Sequence, residues 1–391
     1  MKIFFAVVSL LLSPAVLALP PVAHNEASPA LVVSSGNQCP GATFHSIGEA
    51  VEAAQPGDVI RVCAGTYPEQ VVVNKALQIR ADNGAIVMPN NMTANATDLT
   101  SGEALAAVFL VEDTQADIAG FMVDGTNNGI TGCSPQLIGI LYQDASGSIK
   151  HNAVRHISLS SSLNGCQSGG GIEVQTSSGN NSNVTIEENS VQNYQKNGIT
   201  ANNDGTRVTI QGNVVTGIGP TTGAAQNGIQ VGFGAKGRID GNVITDNLWS
   251  PCLSVQQCEF SATGVLVYQS DGVEVGQNVV GTNQVGIFIG GQNARVDQND
   301  VFNSQILEGI ALAGNNNEAS QNRITHSDQA AVALGGNGNT VRANTITDAG
   351  IGVLKETGLS GNTVTGNRFF ATPILVQDPA SQGSANVSPV Q

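Results

Sequence analysis

Val275-Gly-Gln-Asn278-Val-Val280, Val296-Asp-Gln-Asn299-Asp-Val301, Ala319-Ser-Gln-Asn322-Arg-Ile324, Val341-Arg-Ala-Asn344-Thr-Ile346 and Val364-Thr-Gly-Asn367-Arg-Phe369 are copies of one six-residue phrase, apolar-x-x-Asn-x-apolar. Their asparagines stand 21, 23, 22 and 23 residues apart. Upstream, the phrase recurs around Asn152, Asn189, Asn213 and Asn242, and Ile118, Phe121 and Val123 keep its apolar frame with Phe in the Asn slot. A period near 22 residues repeated this often marks a solenoid. Between the copies lies a second phrase, Gly followed by Ile or Val, at Gly139-Ile140, Gly171-Ile172, Gly198-Ile199, Gly228-Ile229, Gly264-Val265, Gly286-Ile287 and Gly309-Ile310, with Ala331-Val332 and Gly350-Ile351 as later copies. Both phrases alternate apolar and polar positions, as strands with one buried face do. Each period therefore holds about three short strands. At the corner between two of them the backbone has to turn left-handed, which Asn tolerates. Stacked Asn amides can then bond from coil to coil.

The composition agrees. Of 391 residues, 47 are Gly and 38 Asn, only 4% are aromatic and 12% charged, while 40% are hydrophobic. That is too apolar for a disordered chain and too poor in aromatic bulk for an ordinary layered domain. A formal charge of −15 argues against nucleic acid as a partner, because phosphate binding needs clustered Lys and Arg. An acidic polysaccharide would be repelled unless a basic patch or cation intervened.

These phrases resemble the coils of right-handed parallel β-helix proteins of the pectate-lyase-like superfamily, over roughly residues 40–370. The stretch from Phe44 to Glu69 is similar to the N-terminal cap and first coil of many of them. There Ser46 and Glu49 form a capping box, Ile47, Ala50, Val51 and Ala54 share one helical face, and Pro56-Gly57 ends the helix. The resemblance implies an all-β, single-stranded right-handed solenoid of about ten or more coils. The boundaries read as a secretory leader at 1–18, an N-terminal extension at 19–42, capping helix and first coil at 43–75, β-helix at 76–376 and a tail at 377–391. The leader has Lys2, an apolar stretch and small residues at Val16-Leu17-Ala18, so the mature chain is expected to be extracellular or periplasmic, without a membrane span.

Function is expected where coils carry long corners: Val123 to Gly139, Val154 to Gly171, Val215 to Gly228 and Ile244 to Gly264. Register places Cys133 and Cys166 in neighbouring long corners. Cys252 and Cys258 share the fourth, and Cys39 and Cys63 flank the capping helix. Disulfides Cys39–Cys63, Cys133–Cys166 and Cys252–Cys258 are the expected pairs. Outward positions two residues after each Gly run Leu141, Glu173, Thr200, Gln230, Leu266, Phe288. Four residues after it come Gln143, Gln175, Asn202, Gly232 and Tyr268. Amides, hydroxyls and an aromatic ring suit a sugar chain, with Trp249 in the longest corner as a stacking face. The substrate-binding set is thus Gln143, Gln175, Thr200, Asn202, Gln230, Trp249 and Tyr268.

Two chemistries are open. Glycoside hydrolysis needs two carboxylates, here Glu173 with Asp144 or Asp204. Elimination on a uronic sugar needs a base and a cation, with Arg155, His156, Lys196 and Arg207 near the early rows. The catalytic candidates are Glu173, Asp144, Asp204, Lys196 and Arg155. The Asp-Pro-His motif of alginate epimerases is missing, as are the polygalacturonase and pectin methylesterase motifs, so the resemblance transfers no catalytic residue. No metal-ligand spacing or cofactor motif is present; acidic residues for calcium are plentiful, but no Asp-x-Asp-x-Asp-Gly loop appears. The reading is a secreted monomer that binds a polysaccharide, with lyase or glycoside hydrolase activity as its enzymatic form. The alternative is a non-catalytic surface or adhesion module.

Overall fold

The computed structural model describes residues 30–254, 258 and 260–378. The expected leader and nearly all of the expected tail lie outside them. The chain is a right-handed parallel β-helix. Each coil contributes a strand that ends at the Asn corner, a short strand after it, and the Gly-led strand. The first kind stacks into a thirteen-stranded parallel sheet from Leu31–Val33 to Thr363–Thr365. Leu31–Val33 belongs to the expected N-terminal extension, which therefore supplies the outermost strand. The other two kinds build the second sheet, and in the late coils they fuse into single strands such as Arg323–Leu334.

Inside the rod, Ile118, Ile149, Ile186, Ile210, Ile239, Val275, Val296, Ala319 and Val341 form one fully buried column. Stacking small aliphatics is enough because each side chain meets its equivalents above and below. Where Phe replaces Asn, Phe121 packs on Phe109 with centroids 5.1 Å apart. The asparagines form the ladder. From Asn152 through Asn189, Asn213, Asn242, Asn278, Asn299, Asn322 and Asn344 to Asn367, each backbone N–H and each Nδ2 donates to the next Oδ1 at 2.8–3.1 Å.

One expectation is corrected here. The left-handed residue is not the Asn but the one before it: His151, Glu188, Gly212, Gly241, Gln277, Gln298, Gln321, Ala343 and Gly366 all have φ between 55° and 64° or, for Glu188, 53°. Asn holds its place through its side chain, the preceding residue through its backbone. The last Gly-led copy also shifts by two residues, since Val332 pairs with Val353, making Gly352-Val353 the equivalent rather than Gly350-Ile351. Gly in this phrase is needed for close approach: a Cβ on Gly171 would lie 2.5 Å from both Gly198 O and Val191 Cγ1.

Helix Ile47–Ala53 closes the N-terminal end with Ile47, Ala50 and Val51 buried, and both halves of the Ser46/Glu49 capping box form. Glu69 accepts from the N–H groups of Ile47 and Gly48, and Lys75 Nζ donates to the carbonyls of Val51, Glu52 and Ala54, so both helix ends are satisfied. All three expected disulfides are present. Cys133–Cys166 joins the first two long corners. Peptide mapping without reduction is expected to return these two residues linked. Replacing both with Ser should lower stability by about 2–4 kcal/mol, read as a fall in Tm.

Candidate functional site

The Gly-led strands carry the two outward columns in the expected register. Leu141, Glu173, Thr200, Gln230, Leu266 and Phe288 pair in sequence, as do Gln143, Gln175, Asn202, Gly232 and Tyr268. The early positions are not an open floor, however. Glu173 is 8% exposed and Leu141 and Gln175 are fully buried. A hairpin covers them: Ala96–Thr97 pairs antiparallel with the start of strand Ala104–Glu112, in a corner that precedes the four long ones noted in the sequence. Its tip reaches across the coils. Gln143 Nε2 donates to Thr97 O, Leu99 N–H to Gln175 Oε1, and Thr100 and Asn203 bond through their side chains.

The hairpin brings in Asp98. Gln175 Nε2 donates to Asp98 Oδ2 at 2.7 Å and to Glu173 Oε1 at 2.8 Å, so one amide holds two carboxyl groups. Those oxygens are no further apart than the two bonds laid end to end. The two groups have different surroundings. Asp98 also accepts from the N–H groups of Thr100 and Ser101, the Asx turn of an Asp-x-Thr-Ser sequence. Glu173 has only the amide. Burial, and then the nearby charge of Asp98, push its pKa up to about 8. Its Oε2 stands over Gly170, 3.5 Å from where a Cβ would be, and a larger side chain there would crowd it.

Asp98, Thr100, Ser101, Gln136, Gln167, Ser168, Gly170, Glu173, Lys196, Asn197, Asn202 and Gln230 surround a cavity of about 230 Å³. Lys196 donates to Ala225 O at 2.6 Å, and burial lowers its pKa to about 8. The far wall is a chain of amides: Asn227 donates to Asn197 and Gln230 donates to Asn202.

Of the residues singled out from sequence, the structure gathers Glu173, Lys196, Asn202 and Gln230 at this cavity, with Gln175 as the bridge and Gln143 beside it. Thr200 lies buried between Glu173 and Gln230 in their column. The others lie elsewhere. Asp144 is committed to the N–H and hydroxyl of Ser177 in a turn. Asp204 lines a separate hollow with Arg207 and Lys236. Arg155 and His156 bond Asp124, and His156 lines a larger cavity of about 630 Å³ whose lining has no carboxyl group. Trp249 is anchored by its Nε1 to Gly223 O and meets Phe260 edge-on at 5.5 Å, joining the third and fourth long corners. Tyr268 is solvent-exposed and packs edge-on against Phe233. Asp98 escaped the sequence reading because its hairpin precedes the periodic coils. The available signal was the corner from Val87 to Val108, which by register is longer than any of the four that drew notice.

The family described as periplasmic copper-binding protein (NosD) matches residues 218–385. No curated protein sequence matches the chain. Among solved structures, the A-module of mannuronan C-5 epimerase AlgE6 from Azotobacter vinelandii is 15% identical with a TM-score of 0.55, covering 83% of this chain and 93% of that one. The AlgE4 A-module of the same organism is 13% identical with a TM-score of 0.51, over 86% and 94%. The GH136 lacto-N-biosidase from Eubacterium ramulus is 12% identical with a TM-score of 0.56, over 87% and 68%. These likenesses show the fold. No helix among the described residues is long and apolar enough to cross a membrane.

Proposed function

We propose that the protein is an exported glycoside hydrolase acting on an uncharged saccharide at the Glu173–Asp98 site. The observation that carries this reading is the Gln175 amide bonded to the carboxyl groups of Glu173 and Asp98 at once. Close carboxyl groups, about 5–5.5 Å apart, belong to hydrolases that retain the anomeric configuration. Glu173 would give its proton to the glycosidic oxygen as the C–O bond breaks. Asp98 would attack the anomeric carbon, forming a glycosyl ester. Water would then cleave the ester, with Glu173 taking back the proton.

The alternative chemistry on a uronic sugar fits less well. Glu173 and Asp98 would meet the sugar's carboxylate where a cation is needed, and the only cationic side chain at the cavity is Lys196. The AlgE modules are named as epimerases and the GH136 protein as a lacto-N-biosidase, and the site's own residues side with hydrolysis. Copper, named in the description of the matched family, does not fit here. From 218 to 385 the chain has one histidine, His326, and no methionine, and Cys252 and Cys258 are joined as a disulfide. Export is supported by the leader-like N-terminus and three disulfides.

The test is a panel of 4-nitrophenyl glycosides of neutral hexoses and N-acetylhexosamines. Turnover is expected with retained anomeric configuration by NMR, falling as pH rises through about 8, where Glu173 loses its proton. No turnover on any member would overturn the reading, and an inverted product would remove Asp98 as nucleophile.

A further inference from the structure

Resting on the hydrolase reading, we infer that the site works from a chain end: one terminal sugar fills the cavity and the rest of the glycan lies over an aromatic platform of Phe233 and Tyr268. The reason is an asymmetry along the rod. Upstream of Glu173 the strand surface is sealed by a dry apolar patch. Leu105, Ala107, Leu110, Ile138 and Leu141 are buried there, with Ala96 of the hairpin packed on them. Leu141 and Leu110 are the direct upstream partners of Glu173 in its column, so no sugar can occupy those positions. The hairpin also closes the side of the second column as far as Asn203, through the Thr100–Asn203 bonds. A polymer therefore cannot run through the site.

Downstream the second column stays buried through Asn202 and Gly232 and reaches the surface at Tyr268. After Asn202 comes Gly232, with no side chain, and then Tyr268. Tyr268 is 42% exposed and Phe233 37%, with ring centroids 5.5 Å apart. Two large exposed aromatic rings grouped downstream of a polar cavity are a surface on which the apolar face of a sugar can rest. At about 4.8 Å per strand, Tyr268 stands about 10 Å beyond Asn202, which suits the sugars that follow the cleaved bond. The cavity of about 230 Å³ is also smaller than the roughly 300–1,000 Å³ that holds a drug-sized ligand. A volume of that size suits one sugar ring.

The experiment uses whichever 4-nitrophenyl glycoside is turned over, together with reducing-end-labelled oligosaccharides that carry the same terminal sugar. A single product, released from the non-reducing end, is expected from the first time points. In the double variant Phe233→Ala/Tyr268→Ala, kcat/KM on a pentasaccharide should fall about tenfold further than kcat/KM on the aryl glycoside. A ladder of internal products from an active enzyme would overturn the inference and leave the hydrolase reading standing. So would equal loss on both substrates, or none on the pentasaccharide. Absence of all turnover refutes the hydrolase reading and this inference with it.

Discussion

Glu173→Gln is expected to lower turnover on the aryl glycoside by about 10²–10⁴-fold and to make the protein more stable than the wild type at pH 8. The first effect follows from losing the proton donor while keeping a side chain that still accepts the Gln175 bond. The second follows from linkage. The folded state holds the proton on Glu173 to about pH 8, whereas the unfolded chain releases it near 4.5. A raised pKa contributes stability that is complete below pH 4.5 and is lost as pH climbs through 8, so the wild type should weaken steadily across that window. The loss is on the order of 3–5 kcal/mol if the carboxyl remains as buried as it is here. Gln has no proton to lose, so the variant's Tm should fall less than that of the wild type over the same range. Parallel Tm curves for the two proteins from pH 4 to 8 would show that Glu173 is ionised like any surface acid, and would remove it as the proton donor.

The second large effect concerns the ladder. Asn278→Leu is expected to destabilise the protein by about 3–5 kcal/mol. Asn278 Nδ2 donates to Ile239 O and Asn299 Oδ1, and its Oδ1 accepts both the N–H and the Nδ2 of Asn242. Leucine would leave the Asn242 N–H without its partner and strip one bond each from Asn242 Nδ2, Asn299 Oδ1 and Ile239 O; an unpaired buried group costs about 1–3 kcal/mol and a lost bond about 0.5–1.5 kcal/mol. Relaxation of the neighbouring coils offsets part of that total. Because each coil contacts only its neighbours, the damage should open the rod near Asn242 and Asn299 first, and hydrogen exchange there should rise before exchange at the capping helix. The exposed control Thr363→Leu should change Tm little. Equal Tm values for the two variants would show that the ladder contributes nothing beyond the corner itself.

Much of the rod was readable because its contacts repeat. Once Phe121, Asn152, Asn189 and Asn213 are aligned, the strands between them have fixed partners, and Glu173 must lie beside Thr200 and Leu141. The same register paired Cys133 with Cys166. The exact corner geometry was not readable, because a left-handed backbone at Gln277 or Ala343 leaves no mark in residue type. Tight stacking forces that conformation, and the Asn beside it carries the visible signal.

Sequence alone therefore determined the solenoid, its period, its disulfides and the outward column that contains Glu173. A periodic hydrophobic pattern has one way to stack, and burial of the Ile and Val column enforces it. The partner of Glu173 was decided only by the tertiary structure. Asp98 lies 77 residues before Gln175 in the chain and outside the period, on a hairpin whose fold back over the coils depends on Ala96 covering Leu105, Leu110 and Leu141. That fold-back excludes water from Glu173, and burial together with the charge of Asp98 keeps its proton in place. Asp144 and Asp204, the carboxylates nearest to Glu173 by register, are turned away because Ser177 takes the first and a separate hollow holds the second. Periodicity sets which residues stack, but a contact made by a loop outside the period depends on what that loop buries.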